Sequence, residues 1–281
     1  MSDFYYKWSI AIYSGASPLA LTPSARPVLT TREVSDAKAM AVADPFLLRY
    51  GGALYMFFEV LNAANGRGEI AYATSEDGFA WRYGGIVMTE PFHLSYPQVF
   101  EWDGAVFMIP ETRQSEEVRL YRCEDFPRRW RPARTLLHGS FADSTIFRQG
   151  VTWWLFAQRG LDEMRLYHAE QPAGPWHEHP MSPLWPGNRV RTRPGGRVIV
   201  HEGRTIRLAQ DGWPNYGSAL RAYEILRLDT SSYAERELES SPIFRAARSG
   251  WNALGMHHLD VLRLDDGRWI GAVDGATLGQ R

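Results

Sequence analysis

One hairpin pattern recurs five times along this chain, and that recurrence constrains the fold more than any other feature. The first copy, DPFLLRYGGALYMFFE from Asp44 to Glu59, sets an acid before a proline, an apolar run, a Gly-Gly break, a second apolar run and a closing acid. Aromatic and branched residues on either side of a Gly-Gly pair are the chemistry of two short antiparallel strands joined by a tight turn. A second copy, YPQVFEWDGAVFMIPE, runs from Tyr96 to Glu111, a third, DSTIFRQGVTWWLFAQ, from Asp143 to Gln158, and a fourth, GGRVIVHEGRTIRLAQ, from Gly195 to Gln210, all with the same spacing between first and last residue. The fifth, HLDVLRLDDGRWIGAVD from His258 to Asp274, is one residue longer because its turn is Asp-Asp-Gly. Repeats about fifty residues apart are the mark of a repeat architecture.

Each of the first four hairpins is followed by a looser strand, turn and strand signature: GEIAYATSEDGFAW, EVRLYRCEDFPRRW, EMRLYHAEQPAGPW and ALRAYEILRLDTSSY. For the fifth, the matching pattern lies at the other end of the sequence, in Trp8 to Leu29. The N-terminal strands are therefore expected to complete the last unit. Radially repeated four-stranded units make an all-β, five-bladed β-propeller, here expected as a single domain over residues 1–281.

Composition sets the outer limits. A 281-residue chain that is 44% hydrophobic and 22% charged has the make-up of a globular protein. Its net charge of −1 argues against nucleic acid or an anionic membrane as partner, since both demand a basic excess. The opening MSDFYYKWSIAIYSG lacks the basic and apolar regions of a secretory signal, and no run reaches the roughly 18 apolar residues of a membrane span, so a cytoplasmic location is expected. The single cysteine, Cys123, permits no internal disulfide and no thiolate cage.

In a propeller the innermost strand of each blade lines a central channel, so the start of each first strand and the end of each second strand gather at one mouth. That register predicts a funnel formed by Asp44, Glu59, Tyr96, Glu111, Asp143, Gln158, Gln210, His258 and Asp274, with His93 on its rim and Arg193 at the start of the fourth blade. Such a gathering of acids suits glycoside hydrolysis, which needs one ionised carboxylate and one carboxyl that keeps its proton. Asp44 is the expected base or nucleophile, Asp143 a modulator, and Glu111 the first choice of proton donor, ahead of Glu59. Raised proton affinity in either glutamate would require burial or neighbouring negative charge. Glu59, His93, Tyr96, Gln158, Arg193, Gln210, His258 and Asp274 are expected to bind substrate. Of the adjacent His257 and His258, strand alternation turns only one into the channel, and register selects His258. Arg193 suits a carboxylate, phosphate or sugar hydroxyl, with Asp143 as its internal alternative. No GxxxxGK[ST], HExxH or GxSxG pattern is present to support rival chemistries.

With ADPF, SYPQVF, PET, ADSTIF, RPGGRV, AQD and HHLD in this order, the sequence resembles the propeller domain at the N-terminus of plant glucosamine inositolphosphorylceramide transferases and its stand-alone bacterial relatives, from about Trp8 to Gly275. More distantly, ADPF followed by IAYATSEDGFAW is similar to the five-bladed glycosidases of glycoside hydrolase families 43, 32 and 68. That second resemblance implies an aspartate base or nucleophile at Asp44, a second aspartate at Asp143 and a glutamate donor opening the fourth blade. The fourth blade instead begins RPGG, so either Glu111 or Glu59 takes the donor role or the funnel binds a sugar without cleaving it. Some of those hydrolases hold a channel cation at a fifth-blade histidine, a position that maps to His258; no metal or other cofactor is expected here. The implied partners are a carbohydrate ligand or substrate and, from the fused plant architecture, a glycosyltransferase.

Overall fold

The computed structural model describes residues 4–280; residues 1–3 and 281 of the span expected for the domain lie outside the described residues. Twenty-two strands form five antiparallel sheets arranged as the blades of a β-propeller. Blade one comprises Ala39–Tyr50, Ala53–Asn62, Arg67–Ser75 and Arg82–Met88. Blade two comprises Ser95–Trp102, Ala105–Glu111, Glu117–Asp125 and Arg129–His138, and blade three Phe141–Gln149, Thr152–Arg159, Glu163–Ala169 and the short His177–Glu178. The inner strand of blade four is split into Arg193–Pro194 and Ile199–His201, followed by Arg204–Asp211, Ala219–Leu228, Tyr233–Glu237 and the short Phe244–Arg245, which pairs with Ala219–Leu228.

Blade five joins the two ends of the sequence. Leu259–Arg263 pairs with Trp269–Gln280, which pairs with Phe4–Ser17, which in turn pairs with Ala20–Thr22. The closing register is unbroken from Phe4 opposite Gln280 to Gly15 opposite Trp269, so the expected N-terminal contribution to the last blade is present. The hairpin turns follow local chemistry: Gly51 and Gly52 (φ 57° and 82°) and Asp103 and Gly104 (49° and 70°) supply the paired positive dihedrals of the tight turn that matches strand twist.

Both faces of each blade are buried, which explains the continuous apolar runs in the hairpins. Five apolar clusters fill the five interfaces: Ile10, Val42, Met56, Phe58 and Ile270 lie between blades five and one, and Phe57, Tyr96, Val99, Met108 and Tyr121 between one and two. Corresponding clusters around Leu155, Phe156 and Leu208 seal the rest of the ring. Each large apolar side chain withdrawn from water contributes about 1.5–3 kcal/mol. Between blades three and four the packing encloses a charge pair: Arg207 donates from Nη2 and Nε to Glu235 at 2.6 and 2.8 Å, and both side chains are fully buried.

Inner strands are also tied directly across the channel wall. Gln98 accepts from the Ile146 amide and donates to the Ile146 carbonyl, while Asp260 accepts from the Leu47 amide. Arg197 reaches Asp260 at 2.9 Å and the carbonyls of Leu47 and Val99.

Candidate functional site

At the mouth, each of the first three inner strands bulges at the same place. Pairing is irregular between Ala43 and Phe46, between Ser95 and Gln98, and between Ala142 and Thr145. The residues lifted out of register, Asp44, Tyr96 and Asp143, have φ of 53°, 47° and 47°. Blade four meets the same requirement with Gly195-Gly196 (φ 135° at Gly196). A left-handed backbone is costly for a residue with a Cβ, and its recurrence here turns these side chains out of the ordinary pleat. Opposite them, Glu59, Glu111 and Gln158 pair with Ala43, Ser95 and Ala142, and Gln210 pairs with Arg193, so the ends of the second strands complete the ring.

Two carboxylates in this ring are fixed as anions. Burial works against the charge of Asp274, but His257 and backbone amides hold it below the ordinary carboxyl range. Its Oδ1 accepts from His257 Nδ1 at 2.9 Å and from the amides of His257 and His258, and its Oδ2 accepts from the Asp44 amide at 3.1 Å. Asp143 is buried too, and the Arg193 guanidinium keeps it ionised, with Arg193 Nε donating to Oδ2 at 2.6 Å and Gln210 Nε2 at 2.5 Å. His257 resists its own burial and stays above the usual imidazole range because Asp274 and Asp44 face it.

The other three carboxyls lie above the ordinary carboxyl range, because burial outweighs the more distant pull of His257 and Arg193. Burial, with Asp143 and Asp274 nearby, lifts Asp44 to about 7. Burial and the charge of Asp143 lift Glu111 to about 8, and a carboxyl–carboxyl hydrogen bond in which Glu111 supplies the proton adds to the shift. Glu59 is driven well above its ordinary value by burial and then by Asp44 and Glu111. Asp44 Oδ1 is buried without a hydrogen-bond partner among the described residues, 3.7 Å from His258 Nδ1, which also lacks one. His258 is held neutral, down to about 4 by burial, with Nε2–H donating to the Pro45 carbonyl at 3.0 Å.

The remaining residues expected from the sequence fall around this centre. His93 accepts at Nδ1 from the Gly68 amide (2.9 Å), which puts its proton on Nε2, 3.3 Å from Glu59 Oε1. Gly68 is required there, since a Cβ would lie 2.6 Å from that carboxyl oxygen and 2.1 Å from the Leu94 carbonyl. Tyr96 points into the wall: its hydroxyl accepts from the Gly196 amide and meets Thr145 Oγ1, both at 2.7 Å. Gln158 donates to the Leu161 carbonyl, and Arg193 also approaches Glu111 at 3.8 Å. Strand alternation does not separate the two histidines, because both precede the strand beginning at Leu259 and both imidazoles reach Asp44, His257 at 4.0 Å. Asp44, His257 and Asp274 are close enough together to share one small cation.

Two aromatic residues at the mouth went unread in the sequence. Trp8 stacks on His257 with ring centroids 4.1 Å apart, and Tyr216 meets His257 edge-on at 5.0 Å. The usable signal for Tyr216 was the Trp-, Pro- and Gly-rich run DGWPNYGS directly after the ring residue Gln210.

A five-bladed propeller whose mouth gathers carboxyls of split proton affinity belongs to an architecture shared with solved glycosidases. The catalytic domain of a Coprinopsis cinerea family 62 α-L-arabinofuranosidase superposes with a TM-score of 0.63 over 97% of each chain at 14% identity. A family 43 enzyme from Xanthomonas citri, solved with xylotriose, gives 0.62 over 80% of this chain and 81% of its own, also at 14%. At that identity the likeness speaks for the fold alone. Sequence goes further: residues 2–276 match the family described as glucosamine inositolphosphorylceramide transferase 1, N-terminal, and the chain belongs to it. Glucosamine inositolphosphorylceramide transferase 1 of Oryza sativa subsp. japonica is 33% identical over 95% of this chain, and that of Arabidopsis thaliana 32% over 95%. This chain spans only 40% and 39% of those two relatives. Among the described residues no helix is long and apolar enough to cross a membrane.

Proposed function

We propose that the funnel binds a glycan and transforms a glycosidic bond, with Glu111 as proton donor and Asp44 as base or nucleophile. The observation that carries this reading is the separation of roles among buried carboxyls: Asp143 is pinned as an anion by Arg193, while its neighbour Glu111 keeps a proton up to about pH 8. Carboxyl groups whose surroundings drive their proton affinities apart are the signature of an acid and base pair. Asp44, near 7 and with one oxygen free of protein partners, ionises within the same range. In the forward step Glu111 gives its proton to the leaving oxygen as that bond breaks. Asp44 either takes a proton from the attacking water or bonds to the anomeric carbon itself. Asp143 receives no proton; its charge sets the affinity of Glu111.

One observation favours a second reading, a non-catalytic glycan-binding module that serves a separate glycosyltransferase. Blade four presents Gly195-Gly196 and Arg193, with no carboxyl, where the resemblance to the glycosidases called for a glutamate. The deciding experiment measures product release from a broad panel of aryl glycosides and oligosaccharides, using wild type, Asp44→Asn and Glu111→Gln. Turnover abolished by both substitutions in folded protein supports the catalytic reading. Sugar binding without turnover, unaffected by Glu111→Gln, overturns it in favour of the module.

A further inference from the structure

Beside the acid ring, between blades three and four, lies a cavity of about 190 Å³ that the acid and base roles leave unused. Gln158, Arg189, Arg193, Gln210, Gly212 and Tyr216 line it, and no carboxylate does. Gln210 is almost fully buried, and its amide orientation is fixed because Nε2 donates to both Asp143 Oδ2 and the Pro194 carbonyl. Its Oε1 is thereby left as a buried acceptor with no partner among the described residues. Such an atom calls for an external donor, because an unmet buried acceptor costs about 1–3 kcal/mol.

The aromatic wall opposite is held in place. Tyr216 stands with its ring 5.1 Å from the Arg193 guanidinium, edge-on to Trp8 and His257, and 43% exposed. Its loop is braced by Asp211, whose carboxylate accepts from the Trp213 amide and from Arg221, and by Ser218 Oγ, which donates toward the Asp211 and Trp213 carbonyls. Gly217 lets the loop close, since a Cβ there would sit 2.9 Å from the Trp8 ring.

The geometry points to a subsite for one sugar unit in this cavity, with the ring packed against Tyr216 and a hydroxyl donated to Gln210 Oε1. It holds the unit next to the one at the acid ring, so the inference rests on the glycan reading above and names where the chain extends. A flat aromatic wall paired with fixed, uncharged amide groups recognises an apolar sugar face and hydroxyls. The test is the gain in affinity with chain length. Calorimetry with mono- to tetrasaccharides of arabinose, xylose, glucose, galactose, mannose and N-acetylglucosamine should show the longer members binding wild type about tenfold more tightly than the monosaccharide. Tyr216→Ala should collapse that ratio to about twofold, while Tyr216→Phe keeps it. Gly217→Ala, which displaces the loop, should act like the alanine variant. If the ratio survives Tyr216→Ala while Asp44→Asn still impairs turnover, the subsite is wrong and the funnel reading stands. If wild type binds none of these saccharides, both fall.

Discussion

Glu111→Gln should make the protein more stable while it abolishes turnover, and the stabilisation should grow with pH. In the folded protein Glu111 holds its proton to about pH 8, against 4.5 for an ordinary glutamate, because it is buried beside the Asp143 anion. Below pH 4.5 the group is protonated in both the folded and the unfolded chain and costs nothing. Above that, the unfolded chain gains by ionising a group that the folded protein keeps neutral. The folded state therefore loses stability as pH rises, until Glu111 ionises in place near pH 8 and the loss levels off. At 1.36 kcal/mol per pH unit the loss reaches about 3 kcal/mol at pH 7. Glutamine has nearly the same shape, can still donate to Asp143 and cannot ionise, so it removes the loss and preserves the contact. Urea unfolding of both proteins at pH 5, 7 and 8.5 measures the effect directly. The variant should lead by about 0.8 kcal/mol at pH 5 and by about 3 kcal/mol at pH 7. A variant that is less stable than wild type at pH 7, or a difference that does not change with pH, would refute the claim that Glu111 is protonated by its surroundings.

If the catalytic reading holds, kcat/KM should follow a narrow bell, rising as Asp44 ionises near 7 and falling as Glu111 ionises near 8, and a profile flat from pH 5 to 9 would exclude both as the titrating pair. Arg207→Met removes one of the two cations that hold buried Glu235, leaving Arg191 at 2.8 Å, and should cost about 1.5–3 kcal/mol, read as a fall in the urea midpoint. Replacing both partners with apolar residues should recover most of that loss; failure to recover would show that Arg207 acts through packing on Tyr223 and Trp185 instead.

The blades were legible because their signal is local. Apolar runs broken by Gly51-Gly52 or Asp103-Gly104 identify hairpins whatever lies around them, and equal spacing stacks them in one register. That register also brought Asp44, Glu59, Glu111, Asp143, Gln158, Gln210 and Asp274 to one mouth. What sequence could not assign was state and contact. Glu59, Glu111 and Asp274 sit at equivalent places, yet only Asp274 is a fixed anion, because only it has His257 and three amides around it. The Arg207–Glu235 pair joins residues whose alternation looks ordinary, and burial shows only once blade three packs over them. Tyr216 stands on a loop, and a loop carries no periodicity to read.

The closure of blade five has a consequence for the order of events during synthesis. Phe4–Ser17 leaves the ribosome long before its partner Trp269–Gln280, so that strand waits as an unpaired apolar edge while four blades form. Asp274 lies on that late strand, and its carboxylate is what the Asp44 amide and His257 bind. An unfinished chain thus carries Asp44, Glu111 and Asp143 without the anchor that orders the first of them. The ring closure that protects the edge also assembles the centre.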